Sequence, residues 1–210
     1  MSNEENVFKD QGELVNQGNR SPKSRNNAVN LVHRGIFTEN DLEHISRNIS
    51  VVNLELNTLN LSKTINNSLD EFNFIISLSL HHSLIFELLK GIGTDVTWEA
   101  IKQVAIFIRN KISGKKIFKV TSRDKIEKEI TFGIKMIVDK NTQFNFELKG
   151  DLDDKIINES LDKVLDHIKS QKVNSEYVHP VYLKYSAATN KWTPVDVLEV
   201  TRKKNRKKKK

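Results

Sequence analysis

Apolar residues in the first half of the chain recur with helical spacing. After Leu42 they fall at Ile45, Ile49, Val52, Leu56 and Leu59, in steps of three and four that place them on one face of a long helix. The segment opens with a start signal: Thr38 can cap the first-turn NH groups, Asp41 holds the capping-box position, and Phe37 can staple onto Leu42. From Val52 a strand competes. Val52, Leu54 and Leu56 alternate with Asn53 and Glu55, so residues 52–61 stay open between helix and strand, with the unbroken spacing favouring helix. Upstream, residues 1–35 are rich in Asn, Gln, Gly, Ser and charge, carry little apolar surface, and read as a disordered arm.

The most apolar stretch, FNFIISLSLHHSLIFELL, runs from Phe72 to Leu89. Its length approaches the roughly 20 residues that span a bilayer, yet Asn73, His81, His82 and Glu87 are spread through it. A buried element outside the membrane is the expectation, and no transmembrane segment is expected elsewhere. Phe72, Phe74, Ile76, Leu78 and Leu80 also alternate as in a strand, so residues 72–80 stay open as well.

From Trp98 onward the periods separate clearly. Thr97 precedes a helix over 98–112 that buries Ile101, Val104, Ile108 and Ile112, with Arg109 and Lys111 in its last turn and Gly114 as its stop. IFKVT reads as a short strand. EITFGIKMIV follows with Ile130, Phe132, Ile134, Met136 and Val138 inward, and QFNFELK with Phe144, Phe146 and Leu148 inward. A helix then buries Ile157, Leu161, Val164 and Ile168, and a final hairpin carries Pro194 on its second strand, which suits a sheet edge. The predicted fold class is α+β: a mostly helical region over 36–112, then a core over 113–200 completed by helix 98–112 in the order α-β-β-β-α-β-β, and a flexible tail over 201–210.

Charge changes the picture only at that tail. Arg202, Lys203, Lys204, Arg206, Lys207, Lys208, Lys209 and Lys210 are basic, and the chain's net charge is +7, so +7 minus 8 leaves −1 for everything before them. The basic character therefore belongs to the last nine residues, which can attract DNA or RNA by counterion release without reading bases. The chain holds no cysteine, which removes thiolate chemistry, disulfides and Cys-based metal sites. The N-terminus lacks the apolar core of a signal peptide, and the chain reads as cytoplasmic.

Candidate chemistry is sparse. The six histidines are scattered, adjacent His81 and His82 diverge on either a helix or a strand, and no phosphate loop, dinucleotide fingerprint, nucleophile elbow or zincin motif occurs. No cofactor or metal is implied. Tyr177, Tyr182, Tyr185 and Trp192 suit core or edge packing better than base stacking.

One tripeptide, Glu147-Leu148-Lys149, resembles the E-x-K element of nucleases of the PD-(D/E)xK class, whose α-β-β-β-α-β core the predicted order also resembles. That resemblance implies a Mg²⁺ held by Glu147 and a second carboxylate, with Lys149 favouring the attacking water. If the DKNT segment is a tight turn, Glu147 faces Ile134, and Asp139 lies about 17 Å along the strand, too far to share one metal. Another register would bring Glu127 or Glu129 nearer. Otherwise Glu147 and Lys149 are solvated residues on the outer face of an amphipathic strand. Residues 98–168, from IFIRNK through the Thr121-Ser122-Arg123-Asp124 turn to the closing helix, also resemble small effector-associated accessory domains of bacterial conflict systems. That resemblance implies a protein that recruits or regulates a separate effector. The expected function is a binding or accessory protein with a nucleic-acid-contacting tail. The alternatives are a degenerate Mg²⁺-dependent nuclease, and an accessory subunit whose tail serves solubility.

Overall fold

The computed structural model describes residues 27–62, 74–91, 94–120, 125–139, 142–148, 153–172, 181–197, 199–200 and 202. The chain runs β1 (Ala28–His33), α1 (Glu39–Ser50), β2 (Glu55–Asn60), β3 (Ile76–Leu80), α2 (His82–Lys90), α3 (Thr94–Ile112), β4 (Lys116–Val120), β5 (Lys125–Glu129), β6 (Phe132–Ile137), β7 (Gln143–Leu148), α4 (Asp154–Lys172), β8 (Val181–Ser186) and β9 (Lys191–Pro194). Seven strands form one mixed sheet in the order β2-β1-β3-β6-β7-β8-β9, and β4 and β5 form a separate antiparallel ribbon. The fold is α+β, as the periodicities predicted. Among the described residues no helix is long and apolar enough to cross a membrane.

Two parallel pairs set the topology. β1 lies parallel to β2 across the α1 crossover, and β7 lies parallel to β8 across α4. β3 is antiparallel to β1 and parallel to β6, β7 is antiparallel to β6, and β9 is antiparallel to β8. The sheet therefore consists of two sequence-contiguous halves, residues 28–80 and 132–194, that meet along the β3–β6 ladder. The boundary expected at residue 113 does not separate two units, because β1, β2 and β3 share the sheet of β6 to β9.

The core lies on one face of this sheet. Val29 and Leu31 of β1, Leu78 and Leu80 of β3, Phe132 and Ile134 of β6, Phe144 and Phe146 of β7, and Leu183 of β8 join apolar residues of α1 to α4 in a single cluster. The helix stripes anticipated from spacing are the buried ones: Ile101, Val104, Ile108 and Ile112 of α3, and Ile157, Leu161, Val164 and Ile168 of α4. The closing hairpin also forms as expected, with β9 and its Pro194 at the sheet edge. Trp192 of β9 reaches inward, where its Nε1 donates to the Ser160 carbonyl of α4 at 2.8 Å.

Two expectations are corrected here. Residues 28–33, assigned to the disordered arm over 1–35, are a central strand paired on both sides by β2 and β3. The helix expected to continue from Leu42 to Leu59 ends at Ser50, and β2 begins at Glu55. Asn53 adopts a left-handed conformation, φ 58°, and donates to the Ser50 carbonyl, while Leu54 donates to the Ile49 carbonyl. This Schellman arrangement satisfies the last helical carbonyls and redirects the chain into the sheet. The alternation at Val52 to Leu56 was the signal that mattered.

The start of α1 is as predicted and is tied to α3. Thr38 and Asp41 form the capping box, with Thr38 N donating to Asp41 Oδ2 at 2.9 Å and Asp41 N donating to Thr38 Oγ1 at 3.3 Å. Lys111 Nζ meets Asp41 Oδ1 at 2.8 Å. Burial alone would raise the Asp41 carboxyl, but the Lys111 hydrogen bond, the two from Thr38 and the Lys111 charge together bring it down to about 2 from 3.8. A carboxyl depressed in the folded state stabilises the fold above its unfolded value and loses that contribution as pH falls through the folded value. Stability should therefore drop between about pH 4 and pH 2 by on the order of 1 kcal/mol from this site, after allowance for the partly exposed Lys111. Chemical denaturation across that range should show the step in the native protein and a flatter acid limb in Asp41→Asn.

Candidate functional site

The alternate residues of the strands form the second face of the sheet, and there the polar side chains line up. Asn57, Asn30, Ser79, Lys135, Asn145 and Tyr182 occupy one transverse row across β2-β1-β3-β6-β7-β8. The adjacent row holds Val32, Ser77, Gly133, Glu147, Lys184 and Thr193. Strand pleating alone places these groups side by side, since neighbouring strands lie about 4.8 Å apart.

Glu147 stands at the second row's centre, and it is not solvated. Its side chain is 11% exposed, with Oε2 3.2 Å from Lys184 Nζ, and the Tyr182 hydroxyl donates to it. Burial, then the Glu147 charge and hydrogen bond, raise the Tyr182 phenol far above its usual range, so it stays protonated as a donor. The residue opposite Glu147 is Gly133, one position from the Ile134 expected with a tight turn. This register agrees with the alternation, because it places Phe132, Ile134 and Met136 on the same face as Phe144, Phe146 and Leu148. Phe74 explains the glycine: its ring lies where a Gly133 Cβ would stand, and it packs against Tyr182 with centroids 5.4 Å apart.

The other acids of the nuclease resemblance are elsewhere. Asp139 accepts from Thr142 Oγ1 at 2.6 Å beside the β6–β7 turn. Glu127 lies on the β4–β5 ribbon, paired with Lys116 at 2.9 Å, and Glu129 ends that ribbon. Lys149 lies outside the described residues, and among those described no cluster of three or more His, Asp or Glu side chains is arranged to hold a metal ion. Glu147 is thus brought together with a lysine, a tyrosine and a glycine. Replacing Glu147 with Gln should cost about 1 to 2 kcal/mol in urea unfolding, because it removes the charge facing Lys184 and weakens the acceptor for a buried phenol. The solvated-strand expectation required less than about 0.5 kcal/mol.

The first row contains two donor groups without partners among the described residues. Asn30 is 1% exposed; its Oδ1 accepts from Asn57 Nδ2 at 3.2 Å, while its Nδ2 has no partner. Lys135, half-buried, meets no carboxylate or hydrogen-bond acceptor among the described residues, and burial lowers its ammonium from the usual value. Asn145 accepts from Gln143 Nε2 at 2.6 Å. Sequence reading missed this row because each polar residue, taken singly, looked like the outward half of an amphipathic strand. The available signal was repetition: Asn30, Ser79, Lys135 and Asn145 stand between apolar neighbours on four separate strands.

Two other regions carry polar and basic groups. An open hollow of about 570 Å³ lies between α4 and the β8–β9 turn, lined by Lys163, Asp166, His167, Ser170, Asn190 and Lys191 among others. Lys163 pairs with Asp166 at 3.7 Å, and His167 packs edge-on against Phe144 and Phe146 with burial lowering its pKa. After β9 the chain makes a helical turn begun by Asp196, whose Oδ1 accepts from Glu199 N at 2.9 Å. Arg202 is exposed, and Lys203 to Lys210 lie outside the described residues.

The fold and this polar face define a mixed-sheet α+β protein whose described helices pack on the opposite face. No family model, curated protein or solved structure matches the chain.

Proposed function

We propose that the protein acts by binding, and that its C-terminal run gives sequence-independent contact with nucleic acid. The observation that carries this reading is the charge distribution: eight of the last nine residues are cations, and the rest of the chain nets −1. Such a cluster gains affinity for DNA or RNA by releasing condensed counterions and carries no base-edge readout. The run follows the edge strand β9 in sequence, after the core contacts of Trp192, so removing it deletes no residue of the sheet. A nuclease reading would need a metal-sharing carboxylate near the position where Gly133 faces Glu147.

The test is titration of full-length protein and of a chain ending at Val200 against fluorescent duplex DNA and single-stranded RNA. Full-length protein should bind both without sequence preference. Six to ten phosphate contacts would lower affinity about 10³- to 10⁵-fold between 50 and 200 mM salt. The shortened chain should lose about tenfold or more in affinity at moderate salt and keep its melting temperature. Equal, salt-sensitive binding by both chains would sink the tail as the contact. Absence of binding by either would leave the tail a solubilising segment and favour the accessory-subunit alternative, in which a protein effector is the partner.

A further inference from the structure

Two donor groups on the sheet's second face, the Asn30 amide and the Lys135 ammonium, point to a ligand different in kind from a nucleic-acid strand. Asn30, Ser79 and Lys135 are consecutive in one transverse row, so the Asn30 and Lys135 Cα atoms flank Ser79 at about 10 Å from one another. A lysine side chain reaches about 6 Å, so Lys135 Nζ and Asn30 Nδ2 can converge on a group a few ångströms across above Ser79. These three side chains offer an amide NH₂, a hydroxyl and an ammonium. All can donate, and no carboxylate stands in the row. The carboxylate of the neighbouring row, Glu147, faces the Lys184 ammonium at 3.2 Å and accepts from Tyr182.

An ammonium withdrawn from water without a counterion and a buried amide NH₂ without an acceptor each cost free energy. Both costs are removed by one small anion, whereas a neutral ligand would answer only the amide. Asn30 is 1% exposed while Ser79 and Lys135 are partly exposed, so a ligand must enter past Ser79 and Lys135 to reach the amide, which a small anion can do and a phosphodiester backbone lying over the protein cannot. Phe74, seated over Gly133, bounds the row on the Glu147 side with an apolar wall, which limits the size of what enters.

We propose that the row Asn30–Ser79–Lys135 is a binding site for a small anion, a carboxylate or phosphate group, held by Lys135 Nζ and Asn30 Nδ2. The site is independent of the tail and of any nucleic acid bound there. It would make the protein responsive to an acidic small molecule.

The experiment uses the full chain, with melting temperature followed in sodium phosphate and in sodium acetate, each against sodium chloride at matched ionic strength and pH. Phosphate or acetate should raise the melting temperature saturably above the chloride control, and the ion that does so identifies the source of the anionic group. Lys135→Met, which keeps the tail, should weaken that response at least tenfold in concentration. Without added anion it should melt at or above the temperature of the unmodified protein, since it deletes an uncompensated charge; a lysine needed for structure would lower it. In amide-resolved NMR, the Asn30 side-chain NH₂ pair should shift on titration with the effective ion and stay fixed in Lys135→Met. A response that grows linearly and is shared by Lys135→Met is general salt exclusion and overturns the proposal. So does the absence of any saturable response to both ions.

Discussion

Trp192→Ala should destabilise the protein by about 3 to 5 kcal/mol, the range for deleting a buried aromatic side chain. The indole is 5% exposed, packs edge-on against Phe146 at 4.9 Å and against Tyr185 at 5.4 Å, and donates to the Ser160 carbonyl. Its loss opens a cavity between β9 and α4 and leaves the Ser160 carbonyl without the indole donor. Trp192→Phe keeps most of the apolar volume and should cost about 1 to 2 kcal/mol, chiefly the hydrogen bond. Equilibrium denaturation distinguishes the two. An alanine variant within 1 kcal/mol of the native protein would mean that the edge hairpin contributes little to the cooperative unit.

Gly133→Ala should cost about 3 kcal/mol, at the upper end of overpacking effects, although it adds a single methyl group. That methyl would overlap the ring of Phe74, so the ring must leave its seat over β6 and its contact with Tyr182. The diagnostic is non-additivity. Phe74→Ala removes the obstacle, so Gly133→Ala in that background should cost less than about 1 kcal/mol, and the double-mutant cycle should return a coupling of about 2 kcal/mol. Additive costs would show that Gly133 is required for its backbone instead.

These sites also mark where the sequence was legible. Periods of 3.6 and 2 located α3, β6, β7 and α4, because each buries one continuous apolar stripe against the core. The capping box at Thr38 and Asp41 was readable because its chemistry is local. β1 was not, since AVNLVH is stabilised by β2 and β3, partners 27 and about 50 residues away, and a short strand in a polar neighbourhood carries no local excess of apolar surface. The end of α1 was marked by Asn53, whose side chain tolerates a left-handed backbone, but a competing run of helical spacing masked it. The polar row was legible only in part. Alternation named the outward residues of each strand, while strand order, which brings Asn30 of β1 beside Ser79 of β3 and Lys135 of β6, arises from crossovers that a linear pattern does not encode.

The meeting of the two half-sheets along β3 and β6 sets a schedule for synthesis. Residues 28–80 contain a three-stranded half that can pair its own strands, but the second edge of β3 has its partner only when β6 emerges, about 50 residues later. At about 5 to 20 residues per second, the edge of ISLSL stays open for roughly 3 to 10 s on every nascent chain. An unpaired, apolar strand edge is a template for a neighbouring copy, so crowded polysomes and rapid overexpression are the conditions under which this chain should aggregate, before α3 and β6 have been made.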